Sequence, residues 1–185
     1  MCIFSILNEN MLKYIKQGKG IGEIIMKKTF IDLDGVILNT EELLLEEKES
    51  KYPNLGYYDY FQNYVNWLEI ARKSNSINHS VEIIRELEYL KRQLIILTKI
   101  NSVREMEQKV FHLRNERLIN SPIMFVPFDA LKSQIAMPCS GDILVDDTIS
   151  NIYDWELCGG CPYLFNNPDI GYHNKVRSLE FLLKK

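Results

Sequence analysis

Phe30-Ile31-Asp32-Leu33-Asp34-Gly35-Val36 is the stretch on which the fold turns. Thr29, Phe30 and Ile31 have strand character, and Gly35 directly after the two acids permits a sharp exit turn. In an open parallel sheet, ligands sit outside the carboxyl ends of the strands. Two carboxylates there, one residue apart, repel each other unless a cation or a proton relieves them. A metal between them makes sense of the pattern; a plain core strand does not.

Downstream of this strand, α and β patterns alternate. Val81, Ile84, Leu87 and Leu90 recur at helical spacing with charges between them. Gln93-Leu94-Ile95-Ile96-Leu97-Thr98 is a short apolar run, as expected of a strand buried on both faces. Residues 102 to 118 read as a charged amphipathic helix, and Pro122-Ile123-Met124-Phe125-Val126 as the next strand. Asp142-Ile143-Leu144-Val145-Asp146-Asp147 is another strand, and it too ends in two acids. A helix over 149 to 157, a strand Pro162-Tyr163-Leu164-Phe165 and a closing helix over 172 to 184 complete the series. Strands separated by helices predict an α/β fold, a doubly wound parallel sheet covered on both faces.

Residues 37 to 78 interrupt the alternation. Asn39-Thr40-Glu41-Glu42 begins like a capped helix with acids in its first turn, and Pro53-Asn54-Leu55-Gly56 is a turn. A second helix then carries Tyr57, Tyr60, Phe61, Tyr64, Trp67 and Leu68 at helical spacing. The stretch reads as a small helical cap inserted after the first strand, with 27 to 36 and 79 to 185 as the core. Residues 1 to 26 fit neither part and read as a leader. Gly18-Lys19-Gly20-Ile21-Gly22 lacks the trailing Gly-Lys-Ser/Thr of a phosphate loop, and Met26-Lys27-Lys28 looks like an alternative translation start.

The chain of 185 residues carries a formal charge of −3 with both signs interspersed, so the strong positive field that duplex nucleic acid requires is absent. No apolar run approaches a membrane span. Four cysteines in a chain of this size do not read as a disulfide scaffold, and a cytoplasmic protein is expected.

Asp32 and Asp34, Thr98, Lys132, and Asp146 with Asp147 follow one another at strand ends. In order and setting they resemble the motifs of the haloacid dehalogenase (HAD) superfamily, mostly phosphoryl-transfer enzymes. Its first motif is Asp-x-Asp-Gly-Val/Thr after strand one; its second is a Ser or Thr ending an apolar strand. A Lys is the third and an acidic pair the fourth. The likeness spans residues 28 to about 166. It implies that Asp32, Asp146 and the backbone carbonyl of Asp34 hold Mg²⁺, with Asp147 in support. It further implies Asp32 as nucleophile, forming an aspartyl-phosphate, and Asp34 as general acid and base. Thr98 would hydrogen-bond the phosphoryl group, and Lys132 would pair with it and with Asp32. The short cap looks most like the 5'(3')-deoxyribonucleotidase branch, which implies a small phosphorylated substrate such as a nucleoside monophosphate. A sugar-phosphate mutase, or a catalytically silent binding protein on the same fold, is the alternative.

Plainer readings stand beside these. An Asp-x-Asp can cap a turn, Thr98 can be an ordinary strand hydroxyl, and Asp147-Thr148 suits the N-cap of the following helix. Lys99 competes with Lys132, but should leave its strand on another face. Cys158-Gly159-Gly160-Cys161 has zinc or redox spacing, yet no second pair exists; an αβ turn with packed cysteines is expected. The aromatic row reads as a packed seam with one or two rings toward substrate. His79 and His112 read as surface or cap residues.

Overall fold

The computed structural model describes residues 27–166 and 171–184. The leader, its glycine-rich stretch and the start at Met26 lie outside the described residues. Among the described residues six parallel strands form one sheet in the order β3-β2-β1-β4-β5-β6. They are β1 (Thr29–Ile31), β2 (Leu94–Ile100), β3 (Ile123–Pro127), β4 (Ile143–Asp146), β5 (Cys161–Phe165) and β6 (Lys175–Val176). The chain runs outward from β1 through β2 to β3, then returns to the other side of β1 with β4. The order reverses beside β1, and such a reversal opens a crevice at the carboxyl ends of the strands. Register follows from apolar pairing: Ile31 stands opposite Ile96 on one side and Val145 on the other.

The doubly wound expectation therefore holds, and its cause is visible in burial. Phe30, Leu97, Val126, Leu144 and Trp155 pack on one face; Ile31, Ile96, Val145, Ile84 and Leu87 belong to the larger cluster on the other. Only helices on both faces can cover strands that are apolar on both sides. Those helices include α4 (Ser80–Tyr89), α5 (Val103–Phe111), α6 (Lys132–Ala136) and α7 (Ile149–Leu157).

Between β1 and α4 lie α1 (Thr40–Lys51), α2 (Tyr57–Asn63) and α3 (Trp67–Lys73). The aromatic row is thus split between two helices rather than carried on one. The helix is interrupted at Tyr64–Asn66, where Asn66 precedes α3 and its side chain accepts from Gln108 Nε2 at 2.8 Å. Asn39 does not cap α1 through its side chain; its Oδ1 accepts from Asn75 N at 2.7 Å instead. Together with Asn39 N to Asn75 O (3.2 Å), Ile77 N to Ile37 O (3.0 Å) and an antiparallel Leu38–Ser76 bridge, this forms a short two-stranded stem under the insertion.

Four further expectations are corrected in whole or in part. Residues 172 to 184 do not form a closing helix: Lys175–Val176 extends the sheet beside Leu164–Phe165, and only Leu179–Leu182 turns helically, as a 3₁₀ segment started by Ser178. Edge pairing supplies these residues with more backbone hydrogen bonds than an isolated turn would. His112 stands at the C-cap of α5 but is buried rather than at the surface, with Nδ1 2.5 Å from Glu116 and its ring edge-on to Trp67; burial holds its pKa below the ordinary value, partly offset by Glu116. Thr148 stands at the N-cap of α7 but makes no side-chain cap bond. At the other end of α7, Gly159 at φ +83° makes the expected turn, and a Cβ on Gly160 would overlap the Trp155 indole. Cys161 is half-buried, whereas Cys158 is exposed rather than packed.

Candidate active site

β1 ends at Ile31, and the chain turns at once. Asp32 N still donates to Val145 O at 3.0 Å, while Ile37 N and Leu38 N both return to Leu33 O. This loop throws Asp32 toward β4 and Asp34 toward β2. Gly35 has φ +79°, and a Cβ there would overlap the Asp147 carboxylate. Glycine is therefore required twice, for the left-handed backbone and for the close approach of the second acidic pair.

Around Asp32 the structure brings together Asp146, Asp147 and Lys132. One oxygen from each acid lies within 4.8 Å of the others, the one such acidic, histidine or cysteine group among the described residues. Lys132 is the first residue of α6. Its ammonium lies 2.7 Å from Asp32 Oδ2 and 2.6 Å from Asp146 Oδ2. Asp146 is completely buried and is further held by Thr148 N (2.9 Å) and Asn151 Nδ2 (3.0 Å). The other oxygen of Asp32 accepts from Leu33 N at 2.8 Å.

Charge does not balance here: three carboxylates meet one ammonium. Burial, only partly offset by Lys132 and reinforced by Asp146, pushes Asp32 up to about 7. Burial and the repulsion of Asp32 and Asp146 push Asp147 up to about 8. Burial works against the charge of Lys132, but Asp146 and Asp32 more than compensate and raise its pKa. An all-oxygen, anion-rich donor set with surplus negative charge fits a hard divalent cation such as Mg²⁺.

Asp34 faces a different neighbourhood. Its Oδ1 accepts from the Thr40 hydroxyl (2.5 Å) and the Trp67 indole (2.9 Å), both from the insertion. Its Oδ2 lies 2.6 Å from Lys109 Nζ and 3.4 Å from the Thr98 hydroxyl. Burial alone would raise Asp34, but Lys109, Thr40 and Trp67 outweigh it and hold the carboxyl below its ordinary value. Thr98 is buried within β2 rather than at its end, since the strand continues to Ile100, and its hydroxyl receives a bond from Lys109 at 3.0 Å. Lys99 reaches the cavity rim and donates to Phe128 O at 3.1 Å.

Lys109 escaped the sequence reading. Glu105 and Lys109 stand four apart on a charged helix, a pattern that ordinarily marks a solvated face. The available signal was His112 on the same face, seven residues after Glu105, but it pointed to no ligand.

Asp32, Asp34, Lys109, Lys132 and Asp147 line one cavity of about 180 Å³, with Asp146 and Thr98 buried behind it. Its floor is Asp32, Asp34, Asp147 and Lys132; its wall includes Phe61 and Trp67 from the insertion and Phe128 after β3. Of the aromatic row, Tyr60 and Trp67 are buried, Phe61 is half-buried, and Tyr57 and Tyr64 are exposed.

No protein-family model and no curated protein matches the chain. Solved structures do. A HAD hydrolase of family IA, variant 3, from Entamoeba histolytica aligns with TM-score 0.56 at 12% identity, over 84% of this chain and 95% of that one. A hydrolase from Pseudomonas syringae aligns with TM-score 0.54 at 12% identity, over 85% and 98%. D,D-heptose 1.7-bisphosphate phosphatase from B. bronchiseptica, complexed with magnesium and phosphate, aligns with TM-score 0.54 at 12% identity, over 86% and 99%. The chain therefore has the HAD-like α/β fold.

Proposed function

We propose that the protein is a Mg²⁺-dependent phosphomonoester hydrolase acting on a small substrate, with a nucleoside monophosphate as first choice. The observation that carries this reading is the burial of Lys132 between Asp32 and Asp146, with Asp147 left over. A structural ion pair has no use for a third, mutually repelling carboxylate; a site that takes up a cation and a phosphate does.

Asp32, Asp146 and Asp147 would hold the ion, together with the Asp34 carbonyl. When bound, Mg²⁺ supplies charge neutralisation for the phosphoryl oxygens. Lys132 steadies the Asp32 carboxylate and adds positive charge beside the incoming phosphate. Asp32 attacks phosphorus, the ester P–O bond breaks, and the leaving oxygen takes a proton from Asp34. Asp34 stands as a carboxylate here, and an approaching phosphate anion favours its protonation. In the second half Asp34 takes a proton from water, which attacks the aspartyl-phosphate and releases Asp32 and inorganic phosphate. The insertion acts as a cap, with Phe61 and Trp67 offering rings to a nucleobase.

A Mg²⁺-supplemented panel of ribo- and deoxynucleoside monophosphates and sugar phosphates, scored for inorganic phosphate, tests the reading. Release from nucleotides supports it. Isomerisation of a sugar phosphate without release makes the protein a mutase, and inertness toward every member makes it a binding protein.

A further inference from the structure

Lys109 is as deeply buried as Lys132 and has no part in the scheme above. Late in α5, its ammonium lies 2.6 Å from Asp34 Oδ2, 2.8 Å from Glu105 Oε1, 2.7 Å from Lys99 O and 3.0 Å from the Thr98 hydroxyl. An ammonium carries three protons, so four acceptors leave it no free donor for a substrate. Burying such a charge is costly unless it is fully paired, and filling the space would need only Leu or Met. Asp34 is gripped from the opposite side by Thr40 and Trp67, and the Trp67 ring lies 5.3 Å from the Lys109 ammonium. Core lysine, loop carboxylate and insertion indole thus form one continuous clamp.

We propose that Lys109 is a positioning residue: it fixes the Asp34 carboxylate, and through Asp34 it seats the Trp67 end of the insertion over the pocket. The role in turnover rests on the hydrolase reading; the role in holding Trp67 does not. Lys109 has no free donor for the substrate and reaches the reacting centre only through the Asp34 carboxylate and the Thr98 hydroxyl. Its loss therefore matters most for substrates whose leaving oxygen needs a proton.

The test uses the full chain carrying Lys109→Met with Glu105→Gln, which removes the lysine and its second acid partner and leaves Asp34 as the one group deprived of its counter-charge. A Lys109→Arg variant retains the charge. Hydrogen exchange of the two tryptophan indole protons is followed by NMR. Trp155, whose Nε1 donates to Asp142 O at 3.0 Å inside the other face of the sheet, reports that the fold is intact. The expected result is unchanged protection at Trp155, loss of Trp67 protection by roughly tenfold or more, and partial recovery in Lys109→Arg. In parallel, kcat for a nucleoside monophosphate falls by ~10²-fold with KM little changed, while hydrolysis of 4-nitrophenyl phosphate falls less than about tenfold. Unchanged Trp67 protection with an unaltered leaving-group preference overturns the proposal and leaves the hydrolase reading standing. Lost Trp67 protection in a protein whose parent releases no phosphate overturns the hydrolase reading and leaves the clamp standing.

Discussion

The two buried lysines of this pocket serve opposite electrostatic situations. Lys132 faces Asp32, Asp146 and Asp147, and the acids win: Asp32 and Asp147 are pushed up to about 7 and about 8. Lys109 faces Asp34 and Glu105 with two neutral donors in support, and Asp34 falls below its ordinary value. On the first side two carboxylates exceed the ammonium; on the second the one excess carboxylate is met by neutral donors from Thr40, Trp67 and Asn101. The deficit is what the proposed cation would relieve, while the donors of the second side hold the Asp34 carboxylate in place. Depth of burial alone does not separate them, since both ammonium groups are equally enclosed.

Substitutions that shift charge on the deficient side break this contrast most severely. Asp32→Asn lowers phosphate release by ~10⁴-fold or more and leaves the thermal midpoint of the metal-free protein unchanged or higher, because one repelling charge is gone. Wild-type turnover in that variant refutes the nucleophile assignment. Lys132→Met strands Asp32 and Asp146 without a counter-charge and costs ~3–5 kcal/mol in urea denaturation; added Mg²⁺ recovers part of it. No loss of stability would mean that the lysine does not neutralise the pair.

The next effect concerns pH. With folded-state values raised above 3.8, Asp32 and Asp147 retain protons in the native state that the unfolded chain has already released. Their contribution to stability is present at acid pH and is lost as pH rises through about 7 and about 8. Asp34 has the opposite sign: its contribution is present above the ordinary carboxylate range and is lost on acidification. Mg²⁺ displaces the protons held by the deficient side, so its apparent affinity rises by about tenfold or more from about pH 6 to about pH 8.5. Titration calorimetry reads this directly, and a flat profile would remove the charge deficit. The smallest effect falls on the second side. Trp67→Phe keeps most of the packing but deletes one donor to Asp34, which costs ~1 kcal/mol in stability and leaves Mg²⁺ affinity unaltered.

Much of this arrangement was legible because it depends on short-range rules. An apolar run followed by Asp-x-Asp-Gly, and a second ending in Asp146-Asp147, mark strand ends whatever the rest of the chain does. Parallel pairing then brings them together. Lys132 was readable only through its place after β3. Lys109 was not, because an i, i+4 Glu–Lys pair looks identical whether it faces water or a buried carboxylate; tertiary packing alone decides. The tail failed for a related reason. Leu179, Leu182 and Leu183 have helical spacing, but the free edge of β5 captures Lys175–Val176 first. Trp67 reads as one member of an aromatic seam, and its indole N–H bond to Asp34 depends on an interruption of the helix at Tyr64–Asn66 that the aromatic spacing conceals.

The stem formed by residues 37–39 and 75–77 has an evolutionary corollary. Because the chain leaves the sheet and rejoins it through one doorway, the intervening segment is exchangeable as a cassette without re-registering a single strand. Any replacement must hand Asp34 a hydroxyl and an N–H where Thr40 and Trp67 now supply them, and must refill the core positions of Leu44, Ile70 and Ala71. The segment and the core thus meet at the Asp34 carboxylate, with Asn66–Gln108 and Arg72–Glu116 as further ties between them.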